Sequence, residues 1–283
     1  MFWPVKNNGK KIAVMIISII LITAGIIAFR RLTPRNEMVL ATTTSTYDSG
    51  LLDEIIPIFE EEHDVRLKIM ATGTGQALEL GRRGDADVLF VHAPELEKEF
   101  VNESHGTLRY DVMFNEFVIV GPQSDPAGVE GMDGAVSALE RLHDEEATFC
   151  SRGDDSGTHV KEKELWGKTM FDYEDIEESD WYKELGQGMG DTLMITSEKN
   201  AYTLTDEATY LSLKEKLADL EILVRDETTL YNQYGVIPSY DARQPELAEE
   251  FAEWIISDEI QERIDNYTIE GEKVFTANAK NTN

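Results

Sequence analysis

The chain has 283 residues, 55 of them acidic and 26 basic, for a formal net charge of −29 at pH 7. So large an acidic excess excludes a nucleic-acid-binding face, which needs a basic patch to meet phosphate. The single cysteine, Cys150, excludes an internal disulfide and a cysteine-based metal cluster, and its setting in "ATFCS" suits a buried strand thiol.

Ile12 to Phe29 is an uncharged apolar run flanked by Lys10–Lys11 and Arg30–Arg31. Eighteen residues of helix span roughly 27 Å, close to a hydrocarbon core of ~30 Å. The run is long for a signal peptide and ends in no clear small-residue cleavage site. Residues 1–35 are therefore expected to form a transmembrane anchor, or to be lost on secretion if the segment is cleaved.

After it, "EMVLATTT" reads as a strand ending in hydroxyls, and Leu52, Ile55, Ile56 and Phe59 mark an amphipathic helix that Pro57 could kink. "VRLKIMA" is a second strand, "TGTGQALELGRRGD" a turn opening a short helix, and "ADVLFVHA" a third strand. This alternation predicts an α/β chain with parallel pairing and right-handed crossovers. "DVMFNEFVIVGP" is a long apolar strand, followed by a helix near 132–146, the strand "ATFCS", the segment "SRGDDSGTH" and another helix. "NAYTLTDEATYLSLKE" predicts a strand with Thr205–Asp206 capping the next helix, and "LEILVRD" and "TTLYNQYGVIPS" predict further strands. "PELAEEFAEWIISDEIQERI" predicts one closing helix with Leu247, Phe251, Trp254 and Ile255 on one face. No flexible linker interrupts the chain. Two lobes would therefore be joined by extended segments near 114–122 and 229–238, with residues 36–116 and 230–283 in one lobe and 117–229 inserted as the other. A ligand cleft would lie between them, at the carboxyl ends of the strands.

Three segments share one design, a strand running into a hydroxyl- or glycine-rich turn that opens a helix: Thr42–Ser45, Thr72–Gly75 and Arg152–Thr158. A helix N-terminus offers unpaired N–H groups and about half a positive charge. Each turn alone is an ordinary cap. Three of them meeting would make an anion site without a basic surface. Arg152 adds a planar fork of donors suited to an oxyanion, or else an ion pair with Asp154 or Asp155 within the turn. Surface acidity does not forbid such a site, because salt shortens repulsion to ~10 Å at 0.1 M and ~3 Å at 1 M; the composition suits a saline environment. "GQGMGDTL" could bring the N–H groups of Met189 and Gly190 near a ligand, and His92 in "FVHAP" could border the cleft. Ser156, His159 and Asp155 contain the parts of a hydrolase triad, but they lie too close in sequence to converge, and no G-x-S-x-G elbow accompanies them. The histidines show no metal-ligand spacing, and no cofactor motif is present.

Seven segments in order, "TTTSTYDSGLLDEIIPIF", "ATGTGQAL", "GDADVLFVHAP", "DVMFNEFVIVGP", "SRGDDSGTH", "GQGMGDTL" and "AYTLTDEATYL", resemble the tungstate-binding proteins of ABC importers. The resemblance implies a type II periplasmic-binding-protein fold, two lobes each with a mixed sheet and helices, joined by two crossing strands. It implies an extracytoplasmic protein without enzymatic activity that hands tungstate, or molybdate, to the permease and ATPase of its importer. Carried over from the family's motifs, Thr43, Thr44, Ser45, Arg152, Ser156, Gly157 and Thr158 are expected to contact the oxyanion. Thr74 and Gly75 join them by analogy with related oxyanion binders.

A fully deprotonated tetrahedral dianion only accepts hydrogen bonds, so its pocket should present donors. Hydrogenphosphate carries a proton and favours one acceptor, which the two aspartates of "RGDDSGT" could supply unless they turn onto Arg152 or the backbone. Binding of molybdate, sulfate or phosphate therefore stays open as an alternative, as does hydrolysis through Ser156 and His159 from another functional class.

Overall fold

The computed structural model describes residues 36–217 and 219–279. The Ile12–Phe29 run lies outside the described residues; among those described, no helix is long and apolar enough to cross a membrane.

The first part of the chain alternates strands and helices. Strand β1 (Asn36–Thr43) runs into a short helix α1 (Thr44–Asp48), then α2 (Leu51–Glu62), β2 (Val65–Thr72), α3 (Thr74–Arg82), β3 (Val88–Val91) and α4 (Pro94–Asn102). Pro57 sits inside α2 without ending it, and Leu51, Leu52, Ile55, Ile56 and Phe59 form its buried face. Strand β4 (Tyr110–Pro122) follows, with α5 (Ala135–Asp144), β5 (Phe149–Ser151), α6 (Gly157–Trp166), α7 (Tyr173–Glu177), β6 (Tyr182–Glu184) and α8 (Met189–Lys199) behind it. Next come β7 (Thr203–Asp206), α9 (Glu207–Leu213), β8 (Leu220–Val224) and β9 (Tyr231–Pro238). Asp206 caps α9 as its sequence position predicted, its carboxylate accepting from Thr209 N–H at 2.9 Å and Thr209 Oγ1 at 2.7 Å.

The closing segment departs from the expected single helix. It divides into α10 (Pro245–Ile255) and α11 (Asp258–Asp265), followed by the short strands β10 (Thr268–Ile269), β11 (Glu272–Lys273) and β12 (Thr276–Ala277). Ser257 makes the break: its hydroxyl donates to Trp254 O at 2.7 Å, and Asp258 and Glu259 behind it favour a new helix start.

Pairing is mixed, as the resemblance implied, and not parallel throughout as the strand–helix alternation alone suggested. The main sheet runs β12-β4-β9-β3-β1-β2, with β1 and β3 parallel and β9 antiparallel to both β3 and β4. Instead of two separate sheets, β4 belongs to two sets of partners. Its first half, Tyr110 to Glu116, pairs with β9, and its second half, Phe117 to Pro122, pairs antiparallel with β7 and β8. Thirteen residues are long enough for both pairings, and each is irregular at one point, against β9 between Asp111 and Met113 and against β8 between Ile119 and Val120. β5 and β6 form a separate parallel pair, in which Cys150 is buried.

One apolar cluster unites α2, α10 and α11 with β1, β2 and the α8–α9 region. A second surrounds Phe149 and Trp166 among α5, α6 and the end of β4. A third fills the space between β1, β3, α3 and α4. The result is that the C-terminal ends of β1, β2, β3 and β5 face one another across a buried junction, where the candidate residues lie.

Candidate anion-binding site

Three turns meet at this junction, each shaped by its own caps. At the end of β1, Thr43 Oγ1 accepts from Thr46 N–H at 3.2 Å, stopping the strand and starting α1. Thr43 also lies 3.1 Å from Ser45 Oγ and 2.6 Å from Thr46 Oγ1. After β5, Ser156 caps α6 by accepting from His159 N–H at 3.2 Å. Gly153 and Asp155, both with positive φ, fold the intervening residues back. Gly153 must be glycine, since a Cβ there would stand 2.8 Å from Glu184 Cβ. After β2, Gly73 precedes α3 and brings Thr74 beneath the start of α6.

Contacts between the turns are direct. Gly157 N–H donates to Thr74 Oγ1 at 3.1 Å, and Arg152 Nη2 reaches Thr44 Oγ1 at 3.5 Å. Ser45 Oγ lies 3.1 Å from His92 Nε2 at the end of β3. Thr43, Ser45, Thr74, Arg152, Ser156, Gly157 and Thr158 are buried, Thr44 is half-buried and Gly75 is exposed at the margin.

Gly157 packs against His92. A Cβ there would lie 3.0 Å from His92 Cε1 and 3.1 Å from Thr74 Oγ1, and the ring is held at both nitrogens. Gly157→Ala is therefore expected to destabilise the fold by about 1–3 kcal/mol through overpacking. Thermal melts would check it, and a variant as stable as the parent would mean the ring can yield.

Arg152 is the buried cation of the junction, only 2% exposed. Its Nη2 donates to Asp154 Oδ2 at 2.5 Å, while Asp154 Oδ1 accepts from Ser156 N–H at 3.2 Å. Asp154 is thus turned onto the arginine and the backbone, and the Asp155 carboxylate points into solvent at 86% exposure. Arg152 Nε, Thr158 Oγ1 and Thr192 Oγ1 are buried without hydrogen-bond partners among the described residues. Ser156 and His159 are occupied by the backbone: Ser156 Oγ accepts from His159 N–H, and His159 Nδ1 accepts from Asp155 N–H at 3.1 Å.

The sequence reading missed the acidic neighbours. Burial raises the Asp48 carboxyl, as do Asp206 and Asp191, and Arg152 opposes them. Asp206 is likewise raised by burial, against the two bonds from Thr209 and the charge of Arg152. His92 is lowered to about 4 by burial, with Arg152 adding to the effect, so the ring is neutral at ordinary pH. Asp206 was legible only as a helix cap and Asp48 not at all, because only the tertiary fold brings them within the reach of Arg152. A cleft of about 660 Å³ opens alongside, lined by residues including His92, Arg109, Gly157, Lys161 and Asn232.

Residues 31–259 match the model of the PBP superfamily domain. A Haloferax volcanii protein provisionally named as an ABC transporter anion-binding protein is 48% identical over 256 residues, covering 87% of this chain and 73% of that one. The tungstate-binding protein TupA of Peptoclostridium acidaminophilum is 44% identical over 253 residues, covering 87% of each. The solved structure of the tungstate-binding protein TupA from Desulfovibrio alaskensis G20 is 40% identical, with a TM-score of 0.74 over 87% of this chain and 100% of that one. Fold, motif order and sequence agree, and the chain belongs to the PBP superfamily, in the family of the tungstate-binding proteins.

Proposed function

We propose that this chain is the extracytoplasmic substrate-binding component of a tungstate ABC importer, holding the tetrahedral oxyanion at the junction of the three turns. The observation that carries the reading is the buried Arg152, whose Nε has no hydrogen-bond partner among the described residues, together with the likewise unpartnered hydroxyl of Thr158 in the same turn. Buried polar groups without partners are rare, and these are groups able to donate to an anion. Thr43, Thr44, Ser45, Ser156 and Thr158 supply the remaining contacts, and Gly157, whose N–H is given to Thr74 Oγ1, forms the wall with Thr74 and Gly75. No step of catalysis is required of any of them.

In this reading residues 36–116 and 230–283 form one lobe and residues 117–229 the other, with β4 and the segment entering β9 as the crossings. The Thr44–Arg152 and Thr74–Gly157 bonds then run from lobe to lobe. An anion touching both sides would favour this closed arrangement over an open one by its extra contacts. The Ile12–Phe29 run would tether the protein at the membrane, beside the permease and ATPase it serves.

Titration calorimetry with tungstate, molybdate, sulfate and phosphate tests the reading. Tight tungstate binding with much weaker sulfate and phosphate is expected. Preference for phosphate, or no binding of any oxyanion, would overturn it.

A further inference from the structure

His92 stands between two polar side chains, its Nε2 3.1 Å from Ser45 Oγ and its Nδ1 2.9 Å from Asn232 Oδ1. Asn232 Nδ2 lies 2.7 Å from Asn115 Oδ1 and 3.3 Å from Tyr234 OH. None of these five residues is more than 4% exposed, so donors and acceptors must match along the chain of bonds. The two ends of an asparagine amide have the same shape, and their identity follows from the partners.

Two directions are self-consistent. In the first, Asn232 donates to Asn115 and accepts from His92 Nδ1–H, which leaves Nε2 bare. Ser45 must then give its only proton to the ring. This direction also leaves Asn115 Nδ2 buried with no acceptor in hydrogen-bonding geometry among the described residues, although it bears on Tyr234 OH. In the second, both amides are turned end for end with every heavy atom in place. Asn115 then donates to Asn232 Oδ1, which also accepts from Tyr234 OH; Asn232 Nδ2 donates to His92 Nδ1; and His92 Nε2–H donates to Ser45 Oγ. The Asn115 nitrogen gains its acceptor. A carbonyl oxygen takes the unpartnered place, which a buried C=O tolerates better than an N–H does.

We infer that the second direction holds: the Asn115–Asn232–His92 relay keeps the imidazole proton on Nε2 and frees the Ser45 hydroxyl proton to donate toward the bound oxyanion, with Thr43 Oγ1 at 3.1 Å as the competing acceptor. The consequence is selectivity, and it rests on the oxyanion-binding reading above. A tungstate dianion can only accept, so it matches a donating Ser45. Hydrogenphosphate has a proton to give and would match the first direction, where Ser45 offers only lone pairs. His92 is thus a positioning residue that disfavours protonated oxyanions without touching them.

Side-chain nitrogen–proton correlation NMR of the folded protein reads the tautomer without any ligand. A proton on His92 Nε2 is expected, and a proton on Nδ1 overturns the inference. Asn232→Asp supplies the functional arm, since a carboxylate can only accept and draws the ring proton to Nδ1. The added charge weakens both dianions alike, so the readout is their ratio at pH 8. The preference for tungstate over hydrogenphosphate is expected to shrink by about tenfold or more, the scale of one hydrogen bond to a charged group. An unchanged ratio overturns the role of the relay. If the parent protein binds no oxyanion, the functional proposal fails while the NMR result still decides the tautomer.

Discussion

Arg152→Ala is expected to weaken tungstate binding by at least two orders of magnitude while leaving a cooperatively folded protein. A hydrogen bond to a charged group contributes about 1.5–3 kcal/mol, and the guanidinium offers the anion more than one donor. Its loss has a second cost. Asp154 is bonded to Arg152, and the charge of Arg152 also bears on Asp48 and Asp206. With the guanidinium removed, the anion meets carboxylates that nothing offsets, so repulsion adds to the missing bonds. Asp154 retains 20% exposure and can turn to water, which limits the damage to the fold itself. Arg152→Lys should fall between the two proteins, because an ammonium keeps the charge and loses the planar fork. Calorimetric titration at low ionic strength, with a melting curve of each ligand-free protein, separates binding from stability. An unaltered affinity in a folded Arg152→Ala protein would remove the arginine from the site.

Local signals made the turns legible and tertiary ones did not. Thr43, Ser156 and Asp206 could be read as caps because each is a hydroxyl or carboxylate placed where a strand pattern gives way to a helical one. Arg152 stood out as a basic residue inside a capped turn of an acidic chain, and the structure buries it at the junction. The partners of His92 had no such mark. Asn232 lies 140 residues away on β9, and its neighbour Asn115 sits on β4, where an isolated polar residue in an apolar strand is usually a solvent-facing one. Both turn inward because β3, β9 and β4 lie side by side, a pairing no local spacing specifies. The crossing segment read near 114–122 contains the point, between Glu116 and Phe117, where β4 changes partners, but which strands it pairs with carried no mark. Its apolar run predicted a buried strand, and burial alone does not say how many sets of partners the strand has.

Glu162→Gln is expected to leave stability near pH 5 almost unchanged and to raise it markedly at pH 9. Glu162 lies on α6 and is only 1% exposed. Tyr182 OH donates to its Oε1 at 2.5 Å, and Tyr173 OH is 2.8 Å from Tyr182 OH. No cation partners it in this network, and burial pushes its carboxyl up to about 8, outweighing the hydrogen bonds from Tyr182 and Ser151. The ordinary value of 4.5 applies to the unfolded chain. Between those two values the folded protein keeps a proton that the unfolded chain has released, so stability falls as pH rises through the window and levels off above it. The total is on the order of a few kcal/mol. Glutamine keeps an acceptor for Tyr182 and has no charge to bury, so the variant escapes the decline. At roughly 2–4 °C per kcal/mol for a chain of this size, the melting curves should separate by about 5–15 °C at pH 9. Gly157 and Thr158 begin the same helix, so ionisation of Glu162 is expected to weaken α6 next to the site. Tungstate affinity above pH 8 should accordingly drop in the parent and hold in Glu162→Gln. Parallel melting curves for the two proteins between pH 5 and pH 9 would show that Glu162 is already ionised in the fold, and overturn the expectation.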